Sequence, residues 1–185
     1  MCFKDPEDPT KGRFLSCIPG WQCEETNKLK LEAYGLTEYY NDFTPGSDAA
    51  LSASMIGAYE KGEPWFGYYW SPTWILAKVD MTPLEEPAWE EELWNEEAKY
   101  ACAYPAEASI IVTNVGLRNR APEVVSFLEE YTHPDEQMNE ALLYMQDNDV
   151  RADVAAIWFL KTHEDTWTKW VSADVAAKVK AALAE

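Results

Sequence analysis

Apolar and polar positions follow one rhythm in the first part of the chain and another in the last. Gly12-Arg13-Phe14-Leu15-Ser16-Cys17 reads as a short strand that enters a turn at Ile18-Pro19-Gly20-Trp21-Gln22-Cys23. A helix is predicted from Glu25 to about Tyr34, ended by Gly35. Leu51, Met55, Ile56 and Tyr59 recur on one face of a second helix, Ala49–Lys61, with Ser47 or Asp48 as its cap and Gly62-Glu63-Pro64 as its end. Trp65 to Trp70, bounded by Pro64 and Pro72, reads as a buried strand running into a loop. Residues 83–100 are acidic and carry Trp, and predict a surface excursion with little regular structure. Ser109-Ile110-Ile111-Val112-Thr113 is the clearest β-branched strand in the chain. Beyond Gly116 the pattern turns helical. Pro122 opens a helix to about Tyr131, Pro134 opens another, Asp149 caps a third over Val150–Lys161, and Ser172 caps a fourth over Ala173–Leu183. Strands mixed with helices and then a helical tail make an α/β chain.

Composition changes this picture in two places. The 185 residues include nine Trp, ten Tyr and six Phe, enough aromatic surface for a recognition site as well as a core. A chain of this length hides roughly 70% of its unfolded surface, so a packed core is within reach. Charge is one-sided: 33 acidic residues against 15 basic ones give −18. Such a chain repels phosphate backbones and anionic membrane surfaces, which excludes nucleic acid as a partner. The acidic field mildly favours a cationic ligand, although solubility is the plainer account of the acidity. No run of 18 apolar residues occurs, so no transmembrane span is expected. The start, Met1-Cys2-Phe3-Lys4-Asp5-Pro6, lacks the apolar core of a signal peptide, so the export signal of an extracytoplasmic protein would have to lie outside this sequence.

Candidate chemistry centres on two stretches. Cys17 and Cys23 bracket Ile-Pro-Gly-Trp-Gln. A disulfide across that turn would close a small ring, worth ~2 kcal/mol in the chain-entropy model. It would also fix the backbone N–H groups of Gln22 and Cys23 beside the Trp21 ring, and paired donors at a helix start suit a carboxylate. A structural disulfide with Trp21 in the core is the plainer reading of the same residues. Two cysteines with His133 and His163 far away in sequence do not make a metal site. The second stretch is Tyr68-Tyr69-Trp70-Ser71-Pro72-Thr73-Trp74. Strand alternation would send Tyr68 and Trp70 to one face and Tyr69 to the other. Trp70, at the strand end, could then face Trp21 across a crevice. Two indole faces around an ammonium with no N–H to donate would bind a trimethylammonium group. Ordinary core packing is the competing account of these rings. No Gly-x-Ser-x-Gly, phosphate-cradling loop or His-Glu-x-x-His occurs, so neither an enzyme nor a cofactor is expected.

Cys17-Ile-Pro-Gly-Trp-Gln-Cys23-Glu24 resembles the Cys-x-Pro-Gly-Trp-Gly-Cys-Glu segment of the glycine betaine/proline betaine-binding proteins of ABC importers. Tyr68-Tyr69-Trp70-Ser71-Pro72-Thr73-Trp74 resembles the Tyr-Tyr-x-Trp-x-Pro-x-Trp strand end of that family, and Tyr59-Glu60-Lys61-Gly62-Glu63-Pro64 its Tyr-Lys-x-Gly-x-Pro turn. Leu84-Glu85-Glu86-Pro87, residues 109–114 and Trp167-Thr168-Lys169-Trp170-Val171 follow in family order. The resemblance implies a type II periplasmic-binding-protein-like fold. Residues 1–113 would form the complete second lobe, and 114–185 the helical C-terminal part of the first, whose N-terminal portion is missing. It implies a Cys17–Cys23 disulfide, Trp21 and Trp70 as walls of an aromatic box with Tyr68 beside them, and Gln22 and Cys23 as backbone donors to a ligand carboxylate. Gln22 departs from the family's Gly. The implied partners are a small quaternary-ammonium ligand, glycine betaine or else choline, carnitine or proline betaine, and a membrane ABC permease. A second copy or a separately encoded N-terminal chain would complete the clamp. The implied place is periplasmic or extracellular. A truncated structural or regulatory fragment without ligand binding is the alternative. The pairing of Cys2 and Cys102 is left open by sequence spacing.

Overall fold

The computed structural model describes residues 3–106 and 109–184. The chain divides into two compact units, one of Met1–Trp70 with Met81–Ala106, the other of Ser71–Asp80 with Glu107–Glu185. Ser71–Asp80 thus goes with the helical tail.

In the first unit, strand β1 (Gly12–Leu15) leads through the disulfide turn into helix α1 (Gln22–Ala33), which returns the chain to strand β2 (Tyr40–Phe43). The two strands pair in parallel, Gly12 opposite Tyr40 and Leu15 opposite Phe43, with α1 as the crossover that parallel pairing requires. On the other side of β1, Leu15 bridges Gly67: its N–H donates to the Phe66 carbonyl at 2.9 Å and its carbonyl accepts from Tyr68 N–H at 2.8 Å. A Cβ at position 67 would collide with the Leu15 carbonyl, so only glycine allows this approach. The strand expected over Trp65–Trp70 is therefore a single bridge, and its side chains are half-buried rather than buried. Helix α2 (Asp48–Lys61) starts where Ser47 Oγ accepts the Ala50 N–H at 3.1 Å and stops at Gly62, as its sequence predicts. Leu51 and Met55 of α2 are buried, as is Leu31 of α1.

Asp5 ties the lead-in segment to β1 and β2. Its carboxylate takes Arg13 Nη2 at 2.7 Å, Asn41 Nδ2 at 3.0 Å and the Glu7 N–H at 2.9 Å. Arg13 lies over the Phe43 ring at 4.1 Å. The Asn41 bond, then the Glu7 and Arg13 bonds, hold the buried Asp5 carboxyl at about 2, below its ordinary range.

The second unit is helical: α3 (Leu117–Arg120), α4 (Pro122–Glu130), α5 (Asp135–Asn148), α6 (Ala152–Thr162), α7 (Glu164–Trp167) and α8 (Ala173–Leu183). A short 3-10 turn, Trp74–Ala77, packs on α5, and Asn139 Oδ1 accepts the Thr73 N–H at 2.6 Å. Trp167, Trp170 and Ala176 form the buried centre, with Phe127, Phe159 and Leu160 against it. The tail thus closes on itself in part, while Val124, Val154 and Ile157 stay exposed.

Two expectations fail here. Residues 109–113 are irregular and exposed, with Ile110 and Val112 each 81% accessible, because β-branched side chains make a strand only where a partner ladder exists and among the described residues none pairs with them. Asp149 does not cap α6. It sits in the left-handed region (φ 49°) as the C-terminal cap of α5, and the Arg151 carbonyl begins α6 by accepting Val154 and Ala155 N–H.

Candidate functional site

The site residues predicted from sequence lie in the first unit, and most of them come together. Cys17 and Cys23 are disulfide-bonded, with Cα atoms 5.6 Å apart. Both are buried, whereas Trp21 between them is 49% exposed, so the ring closure holds Trp21 outward instead of burying it. Gly20 takes the positive φ of the turn (81°), a conformation that costs other residues a steric penalty, and its N–H donates to Glu24 Oε2 at 2.8 Å. Because Gly20 carries that angle, Gln22 needs no special backbone and enters α1 as its first helical residue. The departure from glycine at position 22 is accommodated. The N–H groups of Gln22 and Cys23 open α1, where an α-helix has no internal acceptor to offer them. Glu24 N–H, one residue on, already bonds the Trp21 carbonyl at 3.0 Å.

Trp70 arrives from the loop after Gly67. Its ring centroid lies 5.3 Å from that of Trp21, with the planes 48° apart. At that distance the two indoles touch each other. They form adjoining walls of an open corner, not a sandwich across a crevice, and a cation resting in the corner can lie within ~6 Å of both centroids. Tyr68 continues the row, 6.2 Å from Trp70. Its phenol is raised above its ordinary pKa by burial and stays neutral.

Strict alternation does not survive past Gly67. Tyr69 stacks on Trp70, its neighbour in sequence, at 4.5 Å and 15°. Tyr69 was expected on the opposite face, and that fails because the strand pairing which imposes alternation ends one residue after the bridge.

Sequence reasoning also missed the inner end of the row. Tyr68 meets Tyr104 at 5.4 Å, and Tyr104 meets Trp94 at 5.1 Å. Tyr104 donates its hydroxyl to Asn27 Oδ1 at 2.7 Å, and burial raises its pKa strongly. Between Tyr104 and Trp94 sits the protein's own cation: Lys30 Nζ lies 4.5 Å and 5.8 Å from their centroids. Lys30 is buried, pairs with Glu86 at 2.6 Å and donates to the Cys102 carbonyl at 2.6 Å, so its charge is fully engaged. The acidic excursion is thereby pinned to α1. A helix lysine gives no local sign of such a role; the aromatic density of an otherwise acidic stretch was the available signal. Cys102 itself is a free, buried cysteine, and Cys2 lies outside the described residues. Among the described residues no group of His, Cys, Asp and Glu could hold a metal ion.

Chemically the arrangement offers π faces in a corner, two helix-start N–H groups beside it, and neutral phenols. That set suits a ligand with a soft cation at one end and an acceptor at the other. Residues 3–162 match the model of the substrate-binding domain of ABC-type glycine betaine transport systems. The chain is 25% identical over 190 residues to the glycine betaine/proline betaine-binding periplasmic protein of Escherichia coli (strain K12), covering 94% of this chain and 56% of that protein. A crystal structure of a glycine betaine, L-proline ABC transporter binding protein (ProX) from Borrelia burgdorferi superposes with a TM-score of 0.56 at 16% identity, over 89% of this chain and 57% of that one. Lactococcal OpuAC, in its closed-liganded conformation with glycine betaine, gives 0.54 at 19% identity, over 93% and 63%. The chain therefore spans little more than half the length of these proteins, and its fold is of the periplasmic-binding-protein-like type. With a family model matched from residue 3 to residue 162, the chain belongs to the substrate-binding domains of ABC-type glycine betaine transport systems, a family of solute binders and not of enzymes.

Proposed function

We propose that this chain captures a quaternary-ammonium osmolyte, glycine betaine in the first place, for an ABC importer. The observation that carries the reading is the exposed Trp21 face meeting Trp70 next to the open N–H groups of Gln22 and Cys23. A trimethylammonium group offers no N–H, so hydrogen bonds cannot select it, while ring quadrupoles can at roughly 0.5–2 kcal/mol per face. A carboxylate two bonds from that nitrogen would reach the positive end of α1. Tyr68 extends the apolar wall. The partners are the ligand and a membrane permease, and the working place is outside the cytoplasm, as in the periplasmic relative. The E. coli protein and the solved neighbours are longer, so the rest of the clamp is expected from chain beyond this sequence, from a second copy or from a separately encoded chain.

The test is isothermal titration of the chain with glycine betaine, choline, carnitine and proline betaine, and with 3,3-dimethylbutanoate, in which carbon replaces the nitrogen of glycine betaine. Cation–π selection predicts binding of the ammonium compounds and loss of the all-carbon analogue by at least tenfold. Equal binding of the analogue would mean that apolar burial alone holds the ligand. Unchanged tryptophan fluorescence with every betaine would favour a structural or regulatory fragment instead.

A further inference from the structure

Trp70 presents a face only if something fixes its plane, because it follows the last bridged residues of the Gly67 segment and lies in a loop. We infer that Tyr69 is the positioning residue for Trp70, a role that extends the proposed quaternary-ammonium site and rests on that reading for its effect on affinity. The two rings are stacked, 15° from parallel, with centroids 4.5 Å apart. One face of the indole is therefore occupied by the phenol, which fixes the plane in which Trp70 meets Trp21. Tyr69 is in turn anchored to a rigid element. Its hydroxyl lies 2.9 Å from Ser52 Oγ and donates to Asp48 Oδ1 at 3.4 Å. Ser52 is 5% exposed on α2, and Asp48 is the first residue of that helix. Burial raises the phenol pKa, so the hydroxyl keeps its proton for this contact.

The line of constraint runs from the capped start of α2, through Ser52 and Asp48, to the Tyr69 ring, then Trp70, then Trp21 and its disulfide turn. Consecutive side chains on a true strand point apart; here the end of pairing after Gly67 lets two neighbours stack. An aromatic pair is worth about 0.5–1.5 kcal/mol beyond its buried area, which corresponds to about two- to tenfold in an equilibrium. That is the range in which losing the ring should loosen Trp70.

Incorporating 5-fluorotryptophan and recording 19F NMR tests the inference without any ligand. The Trp70 resonance is assigned by its disappearance in Trp70→Phe. Tyr69→Leu should remove the ring-current shift of that resonance and broaden it, and should disturb Trp21 next, while Trp167 and Trp170 stay in place. Tyr69→Phe, which keeps the ring and loses the hydroxyl anchor, should restore the shift with modest broadening. A Trp70 resonance unchanged in Tyr69→Leu overturns the inference, whatever the chain binds. Titration with glycine betaine then follows: affinity should fall about tenfold in Tyr69→Leu and about threefold in Tyr69→Phe. A parent protein that binds no betaine would overturn the functional proposal, leaving the NMR comparison to decide the role of Tyr69. Equal affinity of parent and Tyr69→Leu, with the resonance shifted, would overturn the link from position to affinity.

Discussion

The two units use the same amino acid in opposite ways. In the second, Trp167 and Trp170 are 2% and 8% exposed, and each indole N–H donates to a backbone carbonyl: Trp167 to Leu160 at 2.7 Å, Trp170 to Thr132 at 2.9 Å. Phe127, Tyr131 and Phe159 surround Trp170. These rings have their polar atom satisfied and their faces covered, which is what a core demands of tryptophan. In the first unit Trp21 is half exposed on a turn closed by a disulfide, and its ring meets Trp70 at 5.3 Å. Covering an indole stabilises the fold; holding one in the open stabilises nothing unless a ligand comes. The difference separates aromatic residues covered by packing from those left open, the ones the proposed function assigns to recognition.

The largest expected effect tests the packing half of that contrast. Trp170→Ala should cost about 3–5 kcal/mol of stability, because it opens a cavity among Phe127, Tyr131 and Phe159 and strands the Thr132 carbonyl. Urea unfolding measures it. A loss below about 1 kcal/mol would mean that the tail helices do not depend on this centre.

The first unit should respond instead at Asp5. Asp5→Asn breaks a network shared with Arg13 and Asn41 and should cost on the order of 1–3 kcal/mol. The pH dependence has a definite sign. The folded carboxyl sits at about 2, below the ~3.9 of an unfolded aspartate, so its contribution is complete above roughly pH 4 and is lost as pH falls through about 2. Acid titration of stability should be less steep in Asp5→Asn over that window; an equal slope would remove Asp5 from the account.

What the sequence made legible follows from locality. Ser47 and Ser172 cap α2 and α8 as expected, since a cap is decided by a residue and its own next turn. The disulfide also lies within one short segment, while the helix expected from Glu25 in fact starts three residues earlier, at Gln22. Strands depend on distant partners. Tyr40-Asn41-Asp42-Phe43 pairs with β1 despite two residues that disfavour strands, whereas the β-branched Ser109–Thr113 run remains irregular. The resident cation, Lys30 against Tyr104 and Trp94, joins residues more than sixty positions apart and left no local pattern to read. Tyr69 was misplaced because alternation was carried past the point where pairing stops. Caps offer a control on the comparison, since both units use the same device: Ser47→Ala and Ser172→Ala should each cost about 1 kcal/mol in thermal or urea unfolding. A much larger loss from either would show a role for that serine beyond its helix.

The smallest expected change in stability is the one that bears most directly on function. Trp21 stands at the N-terminal cap of α1 without any side-chain bond to the helix, and nearly half its surface already faces solvent. Replacing it removes one ring contact, to Trp70, and leaves the disulfide, Gly20 and the helix-start N–H groups in place. Trp21→Ala should therefore shift unfolding by no more than about 0.5 kcal/mol, in the range of ordinary surface substitutions. Affinity for a quaternary ammonium should fall by the value of one ring face, roughly 0.5–2 kcal/mol, or about two- to thirtyfold. Trp21→Leu sharpens the point: it restores apolar area but no quadrupole, so it should bind nearly as poorly as the alanine variant. Paired calorimetric titration and urea unfolding on parent, Ala and Leu proteins read both quantities. If stability falls by several kcal/mol, Trp21 belongs with Trp167 and Trp170 as a packing residue, and the contrast between the units collapses. If the Leu protein binds as the parent does, the contrast stands, but the corner attracts its ligand through apolar contact and not through charge.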